Sequence, residues 1–392
     1  MKKVITPVGT SIFKNYEEES NKLKITLQVL KGEKAENWDK LLGTRITPVQ
    51  NELISWAEDN KDASAEIKSL WKIYEQVNED LEVYLICTET ILSRLAADII
   101  TQYFNNRPGS PITVHFDYER EDRIKGLQVE DRKRFEQEGI VNLVKRFSEI
   151  TGGYTENVIM NVTGGYKGVI PYLSILSQIN NVPIYYIFED TEELIRIPQA
   201  PINLDKGLFE KYHLRFQELY DGIIESWEDY RRKNNIGDDF KNCITEDIID
   251  GENIIYLNGI GTMLWVEYNS KYDIVYFPYK GKYSKEEQTK KKHLEEAIIE
   301  LLRRLREIND FSGIKNNGDL NHLNDKEPYV YKHTNPQQIR IQYWYDIKSN
   351  KLVIYNYYFI TDDTIDKNYP RKLKEEYENL KDRELISVAI SR

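Results

Sequence analysis

Hydrophobic and polar positions follow two different periods along the first half of the chain. Short apolar runs typical of strands include KKVITPVG at residues 2–9 and ENVIMNVTGG at residues 156–165. Between such runs, apolar residues recur every three or four positions, as in ILSRLAADIITQYF at residues 91–104, which predicts amphipathic helices. Strands that alternate with helices predict a mostly parallel sheet with helices on both faces. The predicted fold class of residues 1–205 is therefore a Rossmann-like α/β domain.

The pattern changes after residue 205. Residues 208–233 predict one long helix, and we interpret residues 206–260 as a helical linker or dimer segment. TMLWVEYNS and KYDIVYFPY predict a hairpin, and a long charged helix follows it. The chain then shows three strand-like runs, YVYKHT, QIRIQYWYDI and KLVIYNYYFI, and a last helix, YPRKLKEEYENLKD. We predict that residues 261–392 form a small α+β domain with an antiparallel sheet.

Charge and cysteine content narrow the class of protein. The net charge is -11, with 31 Lys and Arg against 43 Asp and Glu in residues 1–251 and 23 against 22 in residues 252–392. Because no overall basic field exists, any contact with nucleic acid has to be local. Cys87 and Cys243 lie far apart, so neither a disulfide framework nor a metal site is expected. With no long apolar run, we expect a cytoplasmic protein without membrane contact.

Two predicted strand-to-helix loops have the composition of an anion site. They are PVGTS at residues 7–11 and TGGYK at residues 163–167. Glycines let backbone amides approach a phosphate, the following helix adds a favourable dipole, and a lysine adds a positive charge. Glycine turns are also common in any α/β fold, so a plain turn with a solvated lysine is the alternative. The GxGxxG and GxxxxGK[ST] patterns are absent, which disfavours a dinucleotide or ATP site.

Three motifs in the first half resemble the CARF domains of type III CRISPR systems, closest to the branch that includes ring nucleases. They are TPVGTSIFKNY, DRIKGLQVEDRKRFEQEGIVNLV and NVTGGYKGVIPYLSILSQINNVPIYYIFEDT. The resemblance implies a homodimer that binds a cyclic oligoadenylate on its two-fold axis. It implies that the ligand is held by Gly9, Thr10, Ser11, Thr163, Gly164, Gly165 and Lys167. It also implies two alternatives for Ser11 and Lys167: metal-free cleavage of the ligand by a ribose 2′-hydroxyl, or phosphate binding without catalysis.

The last third resembles RelE-type mRNA interferases in the order of its elements, a long helix, three strands and a final helix. The resemblance rests on HLEEAIIELLRRL, DLNHL, YVYKH, QIRIQYWYDIKSNKLVIYNYYF and NYPRKLKEEYENL. It implies cleavage of mRNA on the ribosome without a metal. Arg340 matches the family's phosphate-binding strand arginine, Lys332 or His333 is the candidate acid or base, and Tyr358 is the candidate stacking residue or acid. Strand tyrosines are otherwise packing residues, and Arg340 is otherwise the partner of a carboxylate.

Two other nuclease families that occur fused to CARF domains fit the last third of this sequence less well. HEPN ribonucleases need an arginine four to six residues before a histidine, and none of the five histidines has one. The nearest match to a metal-dependent PD-(D/E)xK nuclease is DIK at residues 346–348, but Asp346 precedes Ser349 and Asn350 and is better interpreted as a turn residue.

Together these features predict an effector that cyclic tetra-adenylate activates and that cuts ribosome-bound mRNA without a cofactor. The alternatives are a ring nuclease or ligand-sensing protein whose last domain binds a partner, and a metal-dependent nuclease.

Overall fold

The structure is a computed structural model, and it describes residues 1–33, 35–120, 122–127, 131–188, 191, 193–201, 204–278, 280–308, 310–323, 326–360 and 369–392. Parts of the CARF-like motifs, residues 128–130 and 189–190, lie outside this set, as do residues 202–203 and 279 of predicted segments. The chain divides into two compact units, one of residues 1–204 and 214–266, the other of residues 205–213 and 267–392. Most of the segment predicted as a linker, residues 206–260, thus belongs to the first unit.

The first unit is built on a six-stranded sheet. Its strands are β1 (Lys2–Pro7), β2 (Leu81–Ile86), β3 (Ile112–His115), β4 (Val158–Asn161), β5 (Ile184–Ile187) and β6 (Leu194–Ile197). Their order is β3-β2-β1-β4-β5-β6. All neighbouring pairs are parallel except β5 and β6, which are antiparallel. The prediction of a mostly parallel sheet is confirmed.

Helices connect these strands and bury apolar faces against the sheet. They are α1 (Ser11–Glu19), α2 (Lys24–Gly32), α3 (Trp38–Leu41), α4 (Thr47–Ala57), α5 (Ala65–Val77), α6 (Ile91–Asn105), α7 (Arg132–Arg134), α8 (Ile140–Thr151) and α9 (Ile170–Ile179). One apolar cluster joins β1 to residues of α4, α5 and α6, and a second joins β4 and β5 to α8 and α9. The core therefore lies in two layers, one on each side of the sheet.

The predicted long helix over residues 208–233 is interrupted. It forms α10 (Lys206–Asp221) and α11 (Trp227–Asn234), because Gly222 has a φ of 87° and Ser226 caps a new helix by accepting a hydrogen bond from the Asp229 amide. A hairpin of β7 (Ile244–Ile249) and β8 (Glu252–Leu257) follows.

The hairpin predicted from TMLWVEYNS and KYDIVYFPY is wrong. The first run belongs to α12 (Gly259–Lys271), whose amide at Gly261 donates to Asn258 Oδ1 over 2.9 Å. Met263, Glu267 and Tyr268 are all buried, so the helix has no clear polar face. Because it is buried on several sides, its sequence shows neither a helical nor a strand period.

The second unit contains a five-stranded sheet. After β9 (Tyr272–Phe277) come α13 (Lys280–Lys285), α14 (Gln288–Arg306) and α15 (Phe311–Lys315), then β10 (Tyr329–His333), β11 (Ile339–Asp346), β12 (Lys351–Phe359), α16 (Tyr369–Leu380) and β13 (Ile386–Ser391). The strand order is β10-β11-β12-β9-β13. β10, β11 and β12 are antiparallel, as predicted, but β9 joins β12 in parallel, so the sheet is mixed. Leu294, Leu301 and Leu305 of α14 pack into the core on one face of this sheet.

Candidate functional site

The two glycine-containing loops of the first unit lie side by side. They follow β1 and β4, which are neighbouring parallel strands, so their carboxyl ends meet at one edge of the sheet. A Cβ built on Gly9 would lie 2.9 Å from the Gly165 amide nitrogen, and one on Gly165 would lie 2.7 Å from Pro7 Cβ. The loops are thus packed backbone to backbone, and glycine is required for this contact.

A buried carboxylate that the sequence analysis did not identify lies between the loops. Glu66, in the first turn of α5, is 1% exposed. Its Oε1 accepts hydrogen bonds from the amides of Gly9 at 2.7 Å and Gly165 at 3.2 Å, and its Oε2 accepts one from Ser11 Oγ at 3.0 Å. Two amides that the sequence analysis assigned to ligand phosphates therefore have a protein acceptor in this structure.

The remaining loop residues have distinct positions. Thr163 Oγ1 accepts a hydrogen bond from the Ile187 amide at 3.0 Å, which ties its loop to β5. Thr10 is exposed at the N-terminus of α1, and Lys167 is exposed at the start of a short 3-10 helix over Lys167–Val169. The side chains of Thr10 and Lys167 are the parts of the predicted set most accessible to a ligand.

A cleft of about 1290 Å³ opens at this end of the first unit. Thr10 and Tyr166 from the two loops line it, together with Thr88 and Thr90 after β2. Its basic lining residues are Lys14, Lys24, Lys31, Arg94, Arg123, Lys125 and Arg134. Its acidic ones are Glu17, Glu33, Glu36, Asp39, Glu89 and Glu119. Both signs of charge are present, so an anion would be attracted only at particular cations.

Two arginines of the cleft already have partners. The Arg94 guanidinium lies 4.0 Å from the Trp38 ring centroid and 3.9 Å from that of Tyr118, and it pairs with Glu119 at 3.1 Å. Arg134 pairs with Glu89 at 3.0 Å. Lys125 also pairs with Glu138 at 3.4 Å, Lys14 with Glu18 at 3.8 Å, and Arg123 lies over the Tyr118 ring. Lys24 and Lys31, which form no ion pair with any described residue, are therefore the better candidates for binding a phosphate.

In the second unit, three predicted residues form a row across the sheet. Lys332 pairs with Arg340 in the β10–β11 register, and Arg340 pairs with Tyr358 in the β11–β12 register. Paired residues of antiparallel strands share a face, so the structure brings these three side chains together. The Tyr358 hydroxyl donates to Glu376 of α16 at 2.7 Å.

Arg340 is buried without a carboxylate partner in the described part of the chain. It is 7% exposed, its Nη1 donates to the backbone oxygens of His333 and Ile339, and its Nε has no hydrogen-bond partner there. Lys332 beside it also forms no ion pair with any described residue. Burying a cation without a counter-charge is unfavourable, so the row is a candidate anion site.

His333 does not join the row. Because side chains alternate along a strand, it faces the opposite side of the sheet, where its ring Nδ1 lies 3.4 Å from the Tyr331 hydroxyl. Burial lowers the pKa of His333, which keeps the ring neutral. Burial and the charges of Arg340 and Lys332 lower the pKa of His322, which lies in the loop before β10. His322 is therefore a second histidine that experiences the charges of the row.

Asp346 has the contacts of a turn residue. Its Oδ2 accepts a hydrogen bond from Ser349 Oγ at 2.6 Å and its Oδ1 accepts one from the Lys348 amide at 3.1 Å. Asn350 completes the turn with a φ of 52°. These contacts agree with the interpretation of this segment as a turn.

These features define an α/β protein with a loop-lined cleft at the carboxyl edge of a parallel sheet and a second unit with a basic row on a mixed sheet. Residues 61–200, about a third of the chain, match the family described as CRISPR-associated protein (Cas_APE2256). That stretch includes Glu66, strands β2 to β6 and the loop of Thr163–Lys167, whereas β1 and the loop of residues 7–11 lie outside it.

No curated protein matches the chain. Among solved structures, Can2 from Sulfobacillus thermosulfidooxidans in complex with cyclic tetra-adenylate (cA4) is similar at 13% identity, over 76% of this chain and 78% of that one, with a TM-score of 0.18. A TM-score this low establishes neither a common fold nor a common function. Across the described helices, none has the length and apolar character needed to cross a membrane.

Proposed function

We propose that the protein is a homodimeric effector of type III CRISPR defence whose first unit binds cyclic tetra-adenylate. The observation that carries this proposal is the family match over residues 61–200, which includes one of the two loops that meet at the cleft. A cyclic ligand made of repeated nucleotides suits a site shared by two copies of the chain. Ser11 and Lys167 are the candidates for slow cleavage of the ligand, which would end the response.

The second unit is proposed to cut ribosome-bound mRNA without a metal. Supporting this is the row of Lys332, Arg340 and Tyr358, two of whose members are cations without an ion-pair partner among the described residues. Arg340 and Lys332 would hold the scissile phosphate, and His322 or Tyr358 would exchange the proton. His333, on the other face, would act only by packing.

For such a switch, the ligand has to bind the active state more tightly than the inactive one. A hundredfold difference in affinity corresponds to about 3 kcal/mol. Helices α10 and α11 connect the two sheets along the chain and are the proposed route for this coupling.

The test is to map mRNA 5′ ends in a bacterial translation extract with the purified protein, with and without cyclic tetra-adenylate. The proposal predicts cleavage that needs both ligand and ribosomes, resists EDTA, and disappears in Arg340→Ala. Lys348→Ala removes an exposed cation from the β11–β12 turn and is the matched control that should keep cleaving.

A second function has support from one observation, the burial of Arg340 to 7% exposure. A buried arginine is hard for RNA to reach, which favours a ring nuclease or ligand-sensing protein whose second unit binds a partner. Intact mRNA with consumed ligand would support this function, and loss of cleavage in EDTA would instead indicate a metal-dependent nuclease.

A further inference from the structure

The carboxylate of Glu66 has a role beyond joining the two loops, because it sets the direction of the Ser11 hydroxyl. Glu66 accepts two backbone amides on Oε1 and the Ser11 hydroxyl on Oε2. Ser64 caps α5 by accepting from the Ile67 amide, and Glu66 lies in the first turn. Three donors and the helix N-terminus all stabilise a negative charge at this position.

Glu66 is also fixed in place by packing. A Cβ on Gly164 would lie 2.1 Å from Glu66 Oε1, so the carboxylate fills the space beside that glycine. Ser69, one turn further along α5, accepts a hydrogen bond from Asn161 Nδ2 at 2.8 Å at the end of β4. The N-terminal half of α5 is therefore attached to β4 independently of Glu66.

The hydrogen bonds that Ser11 forms with described residues use the hydroxyl hydrogen and one of the two lone pairs on its oxygen. A serine hydroxyl has one hydrogen to donate and two lone pairs that accept. An ionised carboxylate only accepts, so the Ser11 hydrogen is directed at Glu66. One lone pair accepts from the Ala65 amide at 3.1 Å, which leaves one lone pair on the hydroxyl of Ser11, a half-buried residue at the start of α1.

We propose that Glu66 is a positioning residue that makes Ser11 a hydrogen-bond acceptor toward the ligand, and that Ser11 thereby recognises a ribose 2′-hydroxyl. A phosphate oxygen, which only accepts, would be repelled by that lone pair, whereas a hydroxyl can donate to it. This inference rests on the proposed binding of cyclic tetra-adenylate. It predicts that the site formed by the two loops, beside the cleft that Thr10 and Tyr166 line, distinguishes ribose from deoxyribose through the pair of Glu66 and Ser11.

The experiment compares the affinities of the full chain for cyclic tetra-adenylate and for its 2′-deoxy analogue by calorimetry. In the wild type, the ribose ring should bind about tenfold more tightly, which is about 1.4 kcal/mol. Ser11→Ala should remove most of this preference. Glu66→Gln should remove it too, because the Gln amide donates to Ser11 and turns its hydrogen outward. In Ser11→Ala, adding Glu66→Gln should change the preference no further.

Control variants distinguish an effect on the orientation of the Ser11 hydroxyl from the effects of misfolding and of losing a negative charge. Glu156→Gln removes an exposed carboxylate that does not line the cleft and should leave the ribose preference intact. If Glu66→Gln unfolds, the comparison of wild type with Ser11→Ala still decides, since equal preferences would contradict the proposal. A preference lost in Ser11→Ala but kept in folded Glu66→Gln would overturn the role of Glu66. A wild type that binds neither ring would overturn the proposed function itself.

Discussion

Glu66 lies in the first turn of α5, and its carboxylate accepts hydrogen bonds from the amides of Gly9 and Gly165. The loops of residues 7–11 and 163–167 are visible in the sequence because glycines and hydroxyl residues follow apolar strands. Ser64 followed by Glu66 indicates only the start of a helix. That the Glu66 side chain turns toward two loops 57 and 99 residues away along the chain depends on tertiary packing, which local pattern does not encode.

Also at the scale of single residues, the partly buried carboxyl of Asp98 should make the stability of the protein depend on pH. Asp98 lies in α6, and burial raises the pKa of its carboxyl to about 6. An unfolded aspartate has a pKa of about 3.9, so the folded state binds the proton more tightly and the unfolding free energy falls as the pH rises from about 4 to 6. Asp98→Asn should remove this loss and raise the unfolding free energy at pH 7.5 by about 1 kcal/mol, allowing for partial exposure.

Urea unfolding at pH 7.5 and at pH 4 measures this effect. The gain from Asp98→Asn should be much smaller at pH 4, where the wild-type carboxyl is largely protonated in the folded state. Asp59→Asn, at an exposed position, is the control and should change the unfolding free energy by less than about 0.5 kcal/mol. An equal gain from Asp98→Asn at both pH values would contradict the prediction.

At the scale of elements, the hydrophobic pattern predicts a helix or a strand correctly where the apolar residues of a segment follow one clear period. Strands β1 and β4 of the parallel sheet and the three antiparallel strands β10, β11 and β12 have clear strand patterns, and the sequence predicts them. Helix α12 is buried on several sides, so its apolar run lacks a helical period and predicts a strand instead. The row of Lys332, Arg340 and Tyr358 could be predicted as a set of residue types, but its register depends on strand pairing and on an irregularity at Gln342 and Tyr343.

Substitutions of Gly222 test whether its left-handed backbone conformation separates α10 from α11. The φ of Gly222 is 87°, and a Cβ there would meet no atom closer than 4.0 Å, so alanine introduces backbone strain without a clash. Gly222→Ala should lower the unfolding free energy by about 1 kcal/mol, and Gly222→Asn by less, because asparagine tolerates a left-handed backbone. Gly43→Ala, with open space and no positive φ, is the control for urea unfolding. No loss in Gly222→Ala would show that the chain takes another path there.

At the scale of the whole molecule, the two compact units predict separate responses to ligand. Cyclic tetra-adenylate at a hundred times its dissociation constant should stabilise the unit that binds it by about 2.7 kcal/mol. In scanning calorimetry, the transition of the first unit should therefore move to higher temperature.

The variant Leu294→Ala should show which calorimetric transition belongs to the second unit. Leu294 is fully buried in the core of the second sheet, and its truncation should cost about 3 kcal/mol there. The transition lowered by Leu294→Ala should be the one that ligand shifts less. If ligand raises that transition most, the assignment of the binding site to the first unit is wrong.

The central position of β1 in its sheet has a consequence for biosynthesis. Its two neighbours, β2 and β4, begin at residues 81 and 158, so β1 emerges long before either partner exists. Closing such long loops slows folding, and the apolar Val4 and Ile5 have to be shielded meanwhile. Because the loops of residues 7–11 and 163–167 come together only when β1 and β4 pair, a growing chain acquires this site late, and translation products truncated before β4 cannot bind the proposed ligand there.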